Sequence, residues 1–237
     1  MTFPTTAWSM LEDAKNRDPA EQTAAMNRFI VNYWRPIYCF LRARGCFHET
    51  AEDLTQEFLL KFLDHDWLAT ADASRGRFRN YLLAILKRFL ADQGSGRAPR
   101  QKAFDQSLVP VSALVRDEER SFEPPDHELP EDVFMKQWAR SLVEEVRGEL
   151  ETWCRARGRP DWYAIFTAHH FPAPGSESLS QQELAGCFRS SRDQIRYAVE
   201  QTTAEFARLF RGAVAGQVGC EAEIEAEIRE IERLVGE

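Results

Sequence analysis

The stretch "TAEDLTQEFLLKFLDHDW", Thr50 to Trp67, decides the fold class of this chain. Its apolar residues recur at intervals of three and four, which is the spacing of an amphipathic helix. The apolar stripe consists of Leu54, Phe58 and Phe62, widened by Leu59 and Leu63. The opposite side carries Glu52, Asp53, Gln56 and Glu57. The stretch therefore predicts a helix that packs through one face and leaves an acidic face for something else.

The same helical spacing recurs along most of the chain, and two-residue alternation is never sustained, so we expect an all-α protein. We expect helices around Trp8 to Lys15, from Glu21 to Arg44, from a cap at Thr50, from near Arg77, from Glu131 to Trp153 and from Asp161 to His170. Pro36 either kinks the second of these helices or divides it. Gly45 should end it, and Asp53 occupies the acidic position of a capping box with Thr50.

Size and composition indicate a globular protein of one large domain or two small ones. The chain has 237 residues, of which 43% are hydrophobic and 29% charged, enough to bury a core. Its 5 cysteines are scattered and never form a CxxC pair, which argues against a disulfide framework or a zinc knuckle. No signal peptide is recognisable, and no apolar run approaches the roughly 18 residues of a membrane span. We expect a cytoplasmic protein without a membrane segment.

Charge is distributed unevenly along the chain, whose net charge is −8. Residues 1–102 carry 15 basic against 12 acidic residues, whereas residues 103–137 carry 3 against 9. Within residues 75–102, eight basic residues accompany a single acid, Asp92. This density predicts a local site for a polyanion such as nucleic acid. Its basic residues are Arg75, Arg77, Arg79, Lys87, Arg88, Arg97, Arg100 and Lys102.

Aromatic residues interleave with the basic ones in "RGRFRNYLLAILKRFL". Rings such as Phe78 and Tyr81 could stack on unpaired bases while the cations meet phosphates. The alternative is a helix whose Phe78, Leu82 and Phe89 belong to the core. For the aromatic residues we favour the core, and for the arginines a functional surface.

A helix-turn-helix pattern occupies Ser180 to Phe210. Ser180 can cap a short helix with Glu183 at the box position, "RSS" makes a turn, and Ser190 or Ser191 caps a second helix. In such a motif the N-terminal residues of the second helix reach base edges in the major groove. The candidate DNA contacts are Arg189, Ser191, Arg192, Gln194 and Arg196. Acidic residues later in the helix, Glu200 and Glu205, make it less basic than a phosphate-binding surface prefers.

Two acidic segments frame this motif. Residues 103–130 combine prolines with acids and predict a linker. Residues 212–237 carry 2 basic against 7 acidic residues and place Ile224, Ile228 and Ile231 on one side of a helix. Three interpretations stay open for that helix: it packs on the helix-turn-helix and shields Arg192 or Arg196, it docks another protein, or it is the last core helix.

Three motifs occur along the chain in the order "YWRPIYCFLRARG", "AEDLTQEFLLKFL" and "RGRFRNYLLAILKRFLAD", followed by an acidic linker and a terminal helix-turn-helix. In this order of motifs the chain resembles the extracytoplasmic-function sigma factors of bacterial RNA polymerase. The similarity extends over nearly the whole chain and is specific in the first half. Within that family the chain is most similar to the group with a short helical C-terminal extension. Its helix-turn-helix is less rich in arginine than is usual for the family.

The resemblance implies a domain organisation. Residues 1–102 would bind polymerase and the −10 promoter element, 103–130 would be a linker in the channel where RNA emerges, 131–211 would read the −35 element, and 212–237 would be a helical extension. The polymerase β′ clamp helices would contact Asp53, Leu54, Gln56, Glu57 and Phe58. Promoter DNA would be the second partner, and the basic residues of 75–102, the cationic block, would melt it. An anti-sigma or other regulatory protein is a third partner that the resemblance allows.

Other functional classes have less support. No nucleophile elbow, P-loop or dinucleotide fingerprint occurs, so we expect neither an enzyme nor a cofactor. "DHD", Asp64 to Asp66, resembles the dipeptide of metal phosphohydrolases, but the further His and Asp ligands that such a site requires have no obvious source. We therefore expect no metal site. The rival interpretations are a helix-turn-helix regulator that works without polymerase, and a sigma-like protein that acts through protein contacts only.

Overall fold

The first described helix, α1, runs from Pro19 to Ala43. Asp18 caps it, since its carboxylate accepts a 2.9 Å hydrogen bond from the Ala20 amide. Pro19 at the first helical position needs no donor there. The helix continues through Pro36, so that residue does not divide it. As predicted, the helix ends before Gly45, whose φ of 86° is readily adopted only by glycine.

The computed structural model describes residues 18–64, 77–94, 108–116, 122–124, 127–172, 175, 177–218 and 220–236. The helix expected at Trp8 to Lys15 lies outside these residues. Within them the structure is all-α, as predicted, and contains no strand. No helix in the described ranges is both long and apolar enough to cross a membrane.

Helix α2 spans His48–Asp64, and helix α3 spans Phe78–Gly94. The expected cap at Thr50 is wrong. The Ala51 amide donates to the Phe47 carbonyl at 2.9 Å, so the first helical bond already begins at Phe47 and Thr50 lies inside the first turn. The sequence signal for a capping box was present, but the helix starts upstream of it.

Aromatic rings hold α1, α2 and α3 together. Phe29 of α1 stacks on Phe62 of α2 with ring centroids 4.9 Å apart, and Phe78 of α3 meets Phe29 edge-on at 6.1 Å. Phe58 and Phe89 form a further edge-to-face pair at 5.5 Å. Such pairs add about 0.5–1.5 kcal/mol each beyond the area they bury. The expectation that Phe78, Leu82 and Phe89 belong to the core is confirmed, and Tyr81 is half-buried.

Part of the acidic linker is attached to these helices. A short 3₁₀ turn, Val111–Ala113, follows Pro110. The Val109 amide donates to Asn27 of α1 at 2.8 Å, and the Val111 amide donates to Gln56 of α2 at 2.6 Å. Val111 is fully buried. The described middle of the linker is therefore an ordered segment held by side-chain hydrogen bonds.

The remaining helices are α4 (Pro130–Ala156), α5 (Pro160–His170), α6 (Gln181–Cys187), α7 (Arg192–Ala215) and α8 (Ile224–Gly236). The chain divides into two compact units, one made of residues 1–142 and 214–237, the other of residues 143–213. Both limits fall inside long helices, α4 and α7, and differ from the predicted limits at 130 and 211. The C-terminal extension thus belongs to the first unit.

Candidate nucleic-acid interface

The helix-turn-helix of the second unit is built by two capping boxes. Ser180 accepts from the Glu183 amide at 3.3 Å, and Glu183 accepts from the Ser180 amide at 2.8 Å. Ser191 and Gln194 repeat this arrangement at the start of α7, with bonds of 3.3 and 2.9 Å. Each box satisfies two amide donors that a helix end otherwise leaves unpaired. The caps therefore fix where α6 and α7 begin, and Ser191 rather than Ser190 caps α7.

A small apolar cluster sets the angle between the two helices. It consists of Ile165, Leu184, Ile195, Ala198 and Val199. Between the helices the chain turns through Arg189, whose φ is 49°, a conformation in which non-glycine residues are uncommon. The turn and the cluster leave the opposite side of the α7 N-terminus in solvent.

That solvent side carries the predicted arginines. Arg189, Arg192 and Arg196 are all exposed. Arg196 pairs with Asp193 at 3.2 Å, but the two side chains are 59% and 88% exposed, so the pair is screened by water and easily exchanged. Gln194 is exposed too, but its amide oxygen is engaged by the Ser191 amide. The motif presents arginine forks at the helix N-terminus, while Gln194 acts first as a cap.

The cationic block of the first unit is arranged differently. Arg77 Nε lies 2.9 Å from one carboxylate oxygen of Glu227 in α8, and Arg79 pairs with the other oxygen. Glu227 is 0% exposed and Arg79 only 3% exposed. The Arg79 guanidinium also lies over the ring of Trp138, 4.4 Å from its centroid. Arg77 and Arg79 thus form a two-arginine site that the protein's own carboxylate occupies.

Burial changes the titration of this site. Removal from water, reinforced by the neighbouring Arg77 charge, lowers the pKa of Arg79 to about 10. At neutral pH Arg79 therefore still carries its charge. A charged group this deeply buried requires a counter-ion, and Glu227 supplies it.

The sequence had assigned these two arginines to an open DNA surface, and for Arg79 the structure corrects this. In the described conformation α8 covers Arg79, and Arg77 is only partly exposed. Elsewhere in the block Arg88 is exposed, and Lys87 pairs with Glu131 at 2.6 Å. The hydrogen bond from Lys87 lowers the pKa of Glu131. Four further basic residues lie outside the described residues, namely Arg75, Arg97, Arg100 and Lys102.

The acidic face of α2 is partly as predicted. Asp53 is exposed, and Leu54 is half-buried. Glu57 pairs with Lys61 at 2.7 Å and accepts a 2.8 Å hydrogen bond from Gln93. Gln56 holds the linker through Val111. The residues named for polymerase contact therefore differ in accessibility, and Asp53 is the most open of them.

Phe58 does not lie on that face. It is 0% exposed and contacts Phe62 and Phe89, so no partner can reach it. The buried stripe of α2 passes through Ala51, Thr55 and Phe58 and leaves Leu54 at its edge. Thr55 was missed because it is polar; its hydroxyl donates to the Ala51 carbonyl at 2.6 Å, which satisfies it inside the core.

No family model matches this chain, and the searches of curated proteins and of solved structures find no match.

Glu227 is the site residue that sequence reasoning missed. It stands between Ile224 and Ile231 on the apolar stripe of α8, where a carboxylate is out of place. A charged residue on a core-facing stripe is almost never buried unless it is paired. This signal indicates a buried partner, although it does not say which one.

The described residues do not supply a site for the metal ion that the "DHD" motif suggested. Within the described ranges no group of three or more His, Cys, Asp or Glu residues is arranged to hold a metal ion. His65 and Asp66 of "DHD" lie outside the described residues.

Proposed function

We propose that this protein is a sigma factor of the extracytoplasmic-function type, which binds core RNA polymerase and directs it to promoter DNA. The observation that carries the proposal is the helix-turn-helix of the second unit, with Arg189, Arg192 and Arg196 exposed around the start of α7. It occurs in one chain with "AEDLTQEFLLKFL", the motif through which the resemblance implies polymerase binding.

The helix-turn-helix supports DNA binding in physical terms. An arginine fork can donate two hydrogen bonds to guanine in the major groove, or pair with a phosphate. Helix α7 offers such forks at the end where its dipole also favours an anion. Because Glu200 and Glu205 reduce the positive charge further along α7, we expect weak duplex binding by the isolated protein.

Binding to polymerase would raise the affinity of this protein for promoter DNA. Two DNA-binding modules gain effective concentration when a large partner fixes the distance between their sites. In this proposal Asp53, Leu54, Gln56 and Glu57 face the β′ clamp helices, with Asp53 as the most accessible contact. Gln56 also holds Val111, so the linker is anchored beside the proposed polymerase contact.

One observation favours the rival function, a helix-turn-helix regulator that works without polymerase. The arginines at the start of α7 are exposed, whereas Arg79 of the cationic block is buried against Glu227. A protein in this conformation could bind duplex DNA but could not present Arg79 to separated strands.

The deciding experiment uses the full chain with core RNA polymerase from its source organism. Co-elution of the two on size exclusion at low salt, and permanganate-reactive thymines in genomic promoter fragments only when both are present, would support the sigma proposal. Failure to co-elute would overturn it, and tight duplex binding without polymerase would favour the regulator.

Two matched pairs of variants assign the surfaces. We expect Asp53→Ala to weaken polymerase binding and Glu177→Ala, another exposed acid, to leave it unchanged. Arg192→Ala should weaken promoter binding by roughly 1–3 kcal/mol, the usual value of one bidentate base contact. Arg155→Ala, which removes a cation that is 69% exposed on α4, should not weaken it. If both members of a pair behave alike, the assigned surface is wrong.

A further inference from the structure

We propose that α8 is a built-in competitor for nucleic acid: the Glu227 carboxylate occupies a two-arginine site that accepts a backbone phosphate of DNA when α8 moves away. This inference rests on the proposed function, because it takes the DNA of that function as the competing ligand. It assigns to the C-terminal extension a role on the first unit, not on Arg192 or Arg196.

The geometry is that of an anion site. Each Glu227 oxygen faces a different arginine, Oε2 at 2.9 Å from Arg77 Nε and Oε1 against Arg79 Nη1. Arginine forks bind the oxygens of carboxylates and phosphates in the same planar manner. A phosphodiester also has two anionic oxygens, one for each arginine.

One wall of the site holds Arg79 in place for either anion. Trp138 of α4 lies under the Arg79 guanidinium, and its ring face attracts the cation. Arg77 remains 32% exposed, so one edge of the site is already open to solvent. A strand that approaches this edge would meet Arg77 first and Arg79 only after α8 has moved.

The covering helix is small and has more acidic than basic residues. Helix α8 has 13 residues, and its buried apolar side chains are Ile224, Ile231 and Leu234. Glu230 lies close enough to Arg79 and Arg77 for their charges to help lower its pKa, after the larger effect of its hydrogen bond from Arg233. The helix thus places two carboxylates near the arginines that a polyanion would otherwise neutralise.

Competition of this kind obeys a simple equilibrium. If only a fraction of molecules has α8 displaced, the apparent affinity of this site for DNA is reduced by that fraction. A change that weakens the closed state without touching the arginines must therefore raise DNA affinity. A helix with a purely structural role predicts the opposite, since loosening it would leave binding unchanged or impaired.

The test measures binding of a fluorescein-labelled, mixed-sequence single-stranded DNA to the full chain at low salt. We expect Glu227→Gln to bind about tenfold more tightly than the wild type, within the usual range for coupled sites. The matched control is Glu232→Gln, which removes the same charge from the exposed side of α8. Adding Arg79→Gln to Glu227→Gln should abolish the gain.

Ile231→Ala provides a second route to the open state, because it loosens α8 without touching the ion pairs. It should raise affinity as well, and it decides the question if circular dichroism shows that Glu227→Gln does not fold. Equal affinities for Glu227→Gln and Glu232→Gln, or a gain that survives Arg79→Gln, would overturn the inference.

The inference and the proposed function can fail separately. If the wild type co-elutes with polymerase and opens promoters while the α8 variants bind DNA like the wild type, only the inference falls. If the variants bind more tightly but no polymerase complex forms, α8 is a competitor in a protein that is not a sigma factor.

Discussion

Two arginine clusters, each at the start of a helix, differ in this protein in their burial and in their ion-pair partners. Arg77 and Arg79 precede or open α3 and are held by a buried carboxylate, whereas Arg192 and Arg196 open α7 and remain in solvent. From sequence alone both clusters predict contact with DNA. The comparison teaches that a run of cations indicates a candidate anion site, but not whether the protein supplies the anion itself.

The two clusters also differ in what their ion pairs contribute. The Arg196 pair with Asp193 is exposed and belongs to a class worth about 0–1 kcal/mol. The Arg79 pair with Glu227 lies out of water, where leaving a charge unpaired costs several kcal/mol. We call Arg77 and Arg79 the closed cluster and Arg192 and Arg196 the open cluster. Breaking the ion pair of the closed cluster should therefore destabilise its unit, whereas breaking that of the open cluster should not.

The largest expected effect on the free energy of unfolding comes from a substitution that breaks the closed cluster. Arg79→Ala leaves the buried Glu227 carboxylate with Arg77 as its remaining cation, so the free energy of unfolding should fall by up to about 3–5 kcal/mol. Urea unfolding followed by circular dichroism measures it. Arg88→Ala removes an exposed arginine from the same helix and should change the value by no more than about 0.5 kcal/mol. Equal effects of the two variants would mean that the buried pair is not formed in solution.

A smaller effect is expected at the open cluster, in the cap that positions it. Ser191→Ala removes the hydroxyl that accepts from the Gln194 amide and should cost about 1 kcal/mol in the free energy of unfolding. Gln182→Ala, at an exposed position of α6, is the control and should be nearly neutral. A neutral Ser191→Ala would show that the Gln194 amide finds another acceptor.

The smallest effect concerns the open arginine itself. Arg196→Ala breaks an exposed pair and should change the free energy of unfolding by no more than about 0.5 kcal/mol. The same urea titration measures it beside Arg79→Ala. A loss comparable to that of Arg79→Ala would remove the distinction between a closed and an open cluster.

Local signals were predicted well. Ser180 and Glu183 were expected to form a capping box and do so, and the turn into α7 lies where "RSS" indicated it. Phe78, Leu82 and Phe89 were expected in the core and are buried there. These features depend on residues three or four positions apart, whose geometry the helix itself dictates.

The phase of a stripe was harder to predict than its existence. The spacing of α2 indicated an amphipathic helix, but the buried side includes Thr55 and excludes Leu54, and it takes Phe58 away from the partner surface. Hydrophobicity identified Phe58, Leu59, Phe62 and Leu63 of this side, but it could not identify Thr55, whose hydroxyl is satisfied by the Ala51 carbonyl of the same helix. Packing against α1 and α3 selected the orientation.

By itself the sequence determined the all-α class, the main helices, the helix-turn-helix and the uneven distribution of charge, because each depends on neighbours along the chain. Only the tertiary structure decided that the C-terminal helix belongs with the first unit and that Glu227 closes on Arg77 and Arg79. The physical reason is that a buried ion pair joins residues far apart in the chain, and its partners are selected by the packing that removes them from water.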